Sequence, residues 1–154
     1  MKQLVCRTLL LIFFSASFVL GTVARAQVGQ EHSCTNSSLS GSFGYTSVGT
    51  LIGPEAGPFV QVGRQTFDGK GNTNATATTS VNGNSFPVTI SGTYSVNPDC
   101  TGSMTLNVSP VGVTVHADFV ITSNGTEFRG MVTDLGSAVT VVGKKQFRSE
   151  ESGR

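Results

Sequence analysis

The feature that most constrains this chain is its alternation. In residues 86–96 (FPVTISGTYSV), Phe86, Val88, Ile90, Tyr94 and Val96 share one parity. Thr89, Ser91, Thr93 and Ser95 share the other. A strand points successive side chains to opposite faces, so this period of two specifies a half-buried strand. The pattern recurs. Met104, Leu106 and Val108 alternate with Thr105 and Asn107; Val113, Val115, Ala117, Phe119 and Ile121 form the apolar parity of the next run. Outside the first 26 residues, no window sustains an apolar period of 3.6.

Turn residues cut the chain between these runs. Residues 68–72 (DGKGN) and Asn82-Gly83 are hairpin signals, because Gly supplies the positive φ such turns require. Residues 53–58, 97–102, 110–112, 123–126 and 134–136 are further breaks. Eight strands result, over residues 41–52, 59–67, 73–81, 86–96, 104–108, 113–121, 127–133 and 137–147. All five prolines then fall in loops or in the first residues of a strand, where a missing N–H does least harm. Short links make neighbours antiparallel. Eight sequential antiparallel strands close most simply as an all-β up-and-down barrel, which leaves no free edge. A two-sheet sandwich of the same strands is the alternative.

The ends of the chain set its compartment. Lys2 and Arg7 precede the uncharged apolar run of residues 8–23, and Ala24-Arg25-Ala26 supplies a small-x-small cleavage site. The apolar run is shorter than the ~20 residues of a spanning helix. Residues 1–26 therefore read as a signal peptide, residues 27–40 as an irregular lead-in carrying Cys34, residues 41–148 as the barrel, and residues 149–154 as a disordered tail. The expected location is periplasmic or secreted. Loss of Lys2, Arg7 and Arg25 leaves seven Lys/Arg against nine Asp/Glu. Without a basic stripe, a nucleic-acid partner has no electrostatic footing.

The mature chain keeps two cysteines, and an exported pair is expected to oxidise. The meander supports this pairing. Cys34 precedes the first strand, and Cys100 lies in the turn after the fourth. Both therefore fall at the same end of the barrel. A bridge would close a loop of 66 residues, worth roughly 4 kcal/mol at most by loop-closure entropy.

Few residues suggest chemistry. His116 and Asp118 project from one face of the sixth strand and form a candidate acid–base or half-metal pair. Arg64 and Arg129 interrupt otherwise uncharged strands and could meet a ligand carboxylate from inside the barrel. Residues 68–72 faintly resemble a calcium loop but lack its remaining ligands. No catalytic constellation, metal site or cofactor is expected. Phe43, Tyr45, Ile90, Tyr94, Leu106, Val115 and Phe119 would line an apolar interior.

Gly44-Tyr45, then VGRxTFDGxGN at residues 62–72, then SGTYxVNPDCTG at residues 91–102, resemble a family of small secreted bacterial proteins without an assigned activity. The likeness covers most of residues 34–148, and its third segment is the most specific. By strand count and meander order the chain is also similar to allene oxide cyclase-type barrels of the calycin-like set. That similarity implies an apolar barrel in which a cyclase or isomerase could act by confinement. It carries over no catalytic residue. The lipocalin branch has a Trp near its first strand, and this chain has no Trp.

Four functions fit these features. A barrel binding a small apolar ligand is the first. A filled barrel with a structural or interaction role, presenting a Ser/Thr/Asn-rich outer face, is the second. An enzyme of the cyclase or isomerase kind is the third, and needs a polar group inside the barrel. An outer-membrane barrel is the fourth, although such barrels carry aromatic girdles and this chain has only Tyr45 and Tyr94 as tyrosines. No membrane partner is expected after signal cleavage.

Overall fold

The computed structural model describes residues 33–53 and 56–146. The expected signal peptide, the first part of the lead-in, residues 54–55, the last two residues of the expected barrel (147–148) and the tail lie outside those residues. Eight strands form a closed antiparallel barrel in sequence order. They are β1 (Ser40–Leu51), β2 (Gly57–Asp68), β3 (Asn72–Val81), β4 (Asn84–Val96), β5 (Thr101–Ser109), β6 (Val113–Thr122), β7 (Glu127–Val132) and β8 (Ser137–Lys145). β1 pairs with β8 from Phe43↔Lys145 to Leu51↔Ser137 and closes the ring. The sandwich alternative is thereby excluded. Among the described residues a single turn of 3-10 helix lies at Asn36–Ser38 in the lead-in, and Ser123–Gly125 between β6 and β7 is a tight turn with positive φ.

β4 begins two residues earlier than its alternation suggests, so Pro87 lies inside the strand rather than at its start. The barrel tolerates it for a local reason. β4 pairs with β5 only from Thr89 onward. Pro87 thus faces no β5 neighbour, and its missing N–H leaves no gap in that ladder.

The apolar parity points inward. The buried cluster includes Phe43, Tyr45, Phe67, Val88, Ile90, Tyr94, Met104, Ala117, Phe119 and Phe128. Outward positions divide by sector. Thr, Ser and Asn cover much of β3 to β5, whereas Val48, Val60, Val62, Met131 and Val142 are exposed on β1, β2, β7 and β8. The outer face is therefore less uniformly polar than composition suggests.

Inward glycines let the sheet bend into so small a ring. Gly143 is paired with Phe128, and a Cβ at Gly143 would run into the Phe128 ring. Gly102 stands in the same relation to Phe119. In each pair the aromatic ring fills the space left by the missing side chain.

One end of the barrel is sealed by aromatic rings. Phe67 meets Phe43, Tyr94 and Phe128 edge to face, at centroid distances of 5.5, 5.1 and 5.5 Å. Phe43 also meets Phe128 at 5.6 Å, and Phe119 meets Phe128 at 6.4 Å. Leu39, fully buried, closes this floor from the lead-in. The Tyr94 hydroxyl donates to the Leu39 and Asn36 carbonyls at 2.8 and 3.0 Å. The Val96 N–H donates to Asn36 Oδ1 at 2.8 Å.

Cys34 and Cys100 are disulfide-bonded beneath that floor, with Cα atoms 5.0 Å apart. Cys100 takes φ of 68°, which turns the β4–β5 loop toward the lead-in. The Cys34 N–H donates to the Pro98 carbonyl at 3.0 Å. The staple therefore holds Leu39 in place as well as shortening the unfolded chain. Replacing both cysteines by serine is expected to lower the unfolding free energy by about 2–4 kcal/mol. Urea denaturation of the oxidised protein reads this directly as a lower midpoint.

Candidate functional site

Above the aromatic floor the barrel is hollow. A cavity of about 750 Å³ occupies the upper half, within the ~300–1,000 Å³ typical of small-molecule sites. Its mouth is ringed by Leu51, Ala56, Val81, Asn82, Asn84, Val111, Asp134 and Ser137. These residues belong to the β1–β2, β3–β4, β5–β6 and β7–β8 ends. The mouth is therefore opposite the disulfide, and the molecule is a cup.

The cup is hollow because its upper layers carry smaller side chains than its floor. Ser47, Thr79, Val88, Val115, Ala117, Val139 and Val141 line it where rings would be needed to fill it. Of the residues expected to line the interior, Tyr45, Ile90, Leu106 and Val115 do border the cavity. Phe43, Tyr94 and Phe119 also point inward but lie lower, in the floor.

The two halves of the wall differ in chemistry. From β4 to β8 the lining below the mouth is Phe86, Val88, Ile90, Met104, Leu106, Val108, Val115, Ala117, Phe128, Val139 and Val141. From β1 to β3 it includes Tyr45, Ser47, Gln61, Gln65 and Thr79. Register explains the grouping. Ser47 pairs with Gln61, and Gln61 with Thr79, so the three sit side by side at one height. Tyr45, one layer lower, donates its O–H to Gln61 Oε1 at 3.0 Å, and Gln61 Nε2 donates to Thr79 Oγ1 at 2.6 Å. Gln65 Nε2 donates to Thr73 Oγ1 at 3.0 Å, and that hydroxyl donates on to the Thr66 carbonyl.

Gln61, Gln65 and Thr79 are not conspicuous in the sequence. Hydrophobicity alone would turn Val60 and Val62 inward. The signal is parity: Gln61 and Gln65 share the parity of Phe59 and Phe67, and Thr79 that of Ala75, Ala77 and Val81. Large residues at the strand ends fix the face, and the glutamines follow.

The charged candidates lie on the outside. Arg64 is exposed and donates to Ser42 Oγ at 2.8 Å. Arg129 is exposed and bound to Glu127 at 2.6 Å. His116 and Asp118 share the outer face of β6, but the partner of His116 is Asp134 rather than Asp118. Its Nδ1–H donates to Asp134 Oδ1 at 2.8 Å, and its backbone N–H to Oδ2 at 2.7 Å. These bonds hold the Asp134 carboxyl below the usual carboxylate range, the backbone N–H contributing most. The pair ties the β7–β8 loop to β6 across the rim.

In the Asp68 turn the carboxylate accepts a nest of donors from its own loop. Asp68 Oδ1 accepts the N–H groups of Lys70, Gly71 and Asn72 at 2.7 to 2.9 Å, and Oδ2 accepts from Asn72 Nδ2 at 2.7 Å. With those donors, led by the Asn72 side chain, its pKa falls to about 2. The donors lock the turn, and the carboxylate's charge is answered by N–H groups of its own loop. No cluster of three His, Cys, Asp or Glu occurs among the described residues.

Inside the cup, burial pushes the Tyr45 phenol up to about 12. The fold holds this proton more tightly than the unfolded chain, whose tyrosines titrate near ~10. The stabilisation is fully present below that value and is lost as pH rises through about 12. Ultraviolet difference titration at 295 nm is expected to show no tyrosine ionising at the ordinary value, since burial raises Tyr94 as well. In Tyr45→Phe the Tyr45 step disappears and the fall in stability at high pH shrinks.

No family model and no curated protein matches the chain. Among solved structures it is similar to one described as a redesigned beta barrel. The TM-score is 0.51 at 19% identity, covering 73% of this chain and 95% of that chain. That likeness concerns the barrel fold alone.

Proposed function

We propose that the protein is an exported barrel that binds a small apolar molecule in its cup. The observation that carries this reading is the cavity: it is closed below by packed rings, open above, and lined mainly by aliphatic side chains. Burying apolar ligand surface there yields ~25 cal/mol per Å². The disulfide and the amino-terminal pattern of residues 1–26 support export to a periplasmic or extracellular setting. The resemblance to small secreted bacterial proteins and to allene oxide cyclase-type barrels agrees with this reading. The inward apolar parity is the reverse of a polar-lumened outer-membrane barrel, which supports a role outside the membrane.

A second reading, an interaction protein of the envelope, draws on the exposed Val48, Val60, Val62, Met131 and Val142. An isomerase or cyclase would have to work through the polar groups that line the cavity, Tyr45 and Gln61 among them, since His116, Arg64 and Arg129 lie outside the barrel.

Leu106 and Val115 are paired across β5 and β6 and both border the cavity. Leu106→Phe with Val115→Phe would place two rings in it. The mature protein is expected to bind the fluorescent hydrocarbon diphenylhexatriene, and the double variant to bind it at least tenfold more weakly with an unchanged far-ultraviolet circular dichroism spectrum. Equal binding by both proteins would place the dye elsewhere, and the absence of binding to the parent would remove the proposal.

A further inference from the structure

We infer that the cup is built for an uncharged amphiphile, one whose apolar body lies against β4 to β8 and whose carbonyl or hydroxyl group docks on the line of Tyr45, Gln61 and Thr79. The inference rests on the binding role proposed above and names the class of ligand. Two observations carry it, the hydrogen-bond inventory of one wall and the distribution of charge around the whole cavity.

Tyr45 brings one O–H, Gln61 two N–H and Thr79 one O–H. Only two of these donors are engaged along the line, from Tyr45 to Gln61 and from Gln61 to Thr79. The second Gln61 N–H and the Thr79 O–H have no partner among the described residues, and both groups border the cavity. Reversing the Gln61 amide leaves the same number free, with the spare hydroxyl donor then on Tyr45. The Tyr45 and Thr79 oxygens also keep acceptor capacity. A ligand carbonyl oxygen fits the free donors; a ligand hydroxyl can use donor and acceptor together. A pure hydrocarbon would leave these groups unpaired in a dry pocket, at a cost.

Charge is excluded by what surrounds the site. Among the described lining residues the one ionised side chain is Asp134, at the mouth, and both its oxygens are bound by His116. Arg64, Arg129 and Lys144 lie on the outer wall, the latter two against Glu127. A ligand carboxylate or ammonium would enter a low-dielectric cup without a counter-charge, and burying such a group unpaired is heavily unfavourable.

The experiment uses the mature protein, diphenylhexatriene as reporter, and a matched ten-carbon series as competitors: 2-decanone, 1-decanol, decanoate and decylammonium at neutral pH. The ketone and the alcohol are expected to displace the reporter at concentrations at least tenfold below those of either ion. In Gln61→Leu with Thr79→Val, reporter binding is retained and the advantage of the ketone over the ions falls at least fivefold. Decanoate or decylammonium competing as well as the ketone would overturn the ligand class while leaving the cup as a binding site. Retention of the full preference in the double variant would overturn the assignment to this line. Failure of the reporter to bind the parent protein would instead remove the binding role itself. The parent series is decisive even if the double variant does not fold.

Discussion

Phe67 touches Phe43, Tyr94 and Phe128 edge to face, and the rest of the barrel depends on that cluster. Each such pair adds about 0.5–1.5 kcal/mol beyond the area it buries. The four rings come from β2, β1, β4 and β7, so packing them fixes the circumference from several directions at once. Tyr94 extends the cluster outward, because its hydroxyl captures the Asn36 and Leu39 carbonyls. The lead-in thus becomes part of the core, and Cys34–Cys100 secures it there.

Concentrating the packed rings at one end has a consequence at the other. A barrel of eight strands can just be filled by its own side chains. Here the rings are concentrated below, and the upper layers carry Ser47, Thr79, Ala117 and valines. Stability and cavity are separated along the barrel axis, and the polar line on β1 to β3 lies in the half that packing leaves open.

Much of this was legible in the residues. Period-two runs and turn residues located all eight strands, and topology alone put Cys34 and Cys100 at one end. Boundaries slipped where a polar residue continues a strand, as at Asn84 and Thr101. The interior polar groups were harder to see. Gln61, Gln65 and Thr79 look like surface residues by type, and only the parity of Phe59, Phe67 and Val81 turns them inward. The partner of His116 was out of reach for a different reason. Asp118 is near in sequence on the same strand, whereas Asp134 arrives through the β7–β8 loop. The height at which lining gives way to floor depends on side-chain packing, so Phe43, Tyr94 and Phe119 could not be separated from Tyr45 and Leu106 by pattern.

The central claim is that the cup holds cargo. Native mass spectrometry of the protein, expressed with residues 1–26 intact and recovered after export, tests it most directly. The account predicts a polypeptide beginning at Gln27, two hydrogen atoms lighter than its reduced form, accompanied by a reproducible neutral mass that leaves on activation. A bare polypeptide from several expression hosts, remaining bare after incubation with 2-decanone and diphenylhexatriene, would contradict it.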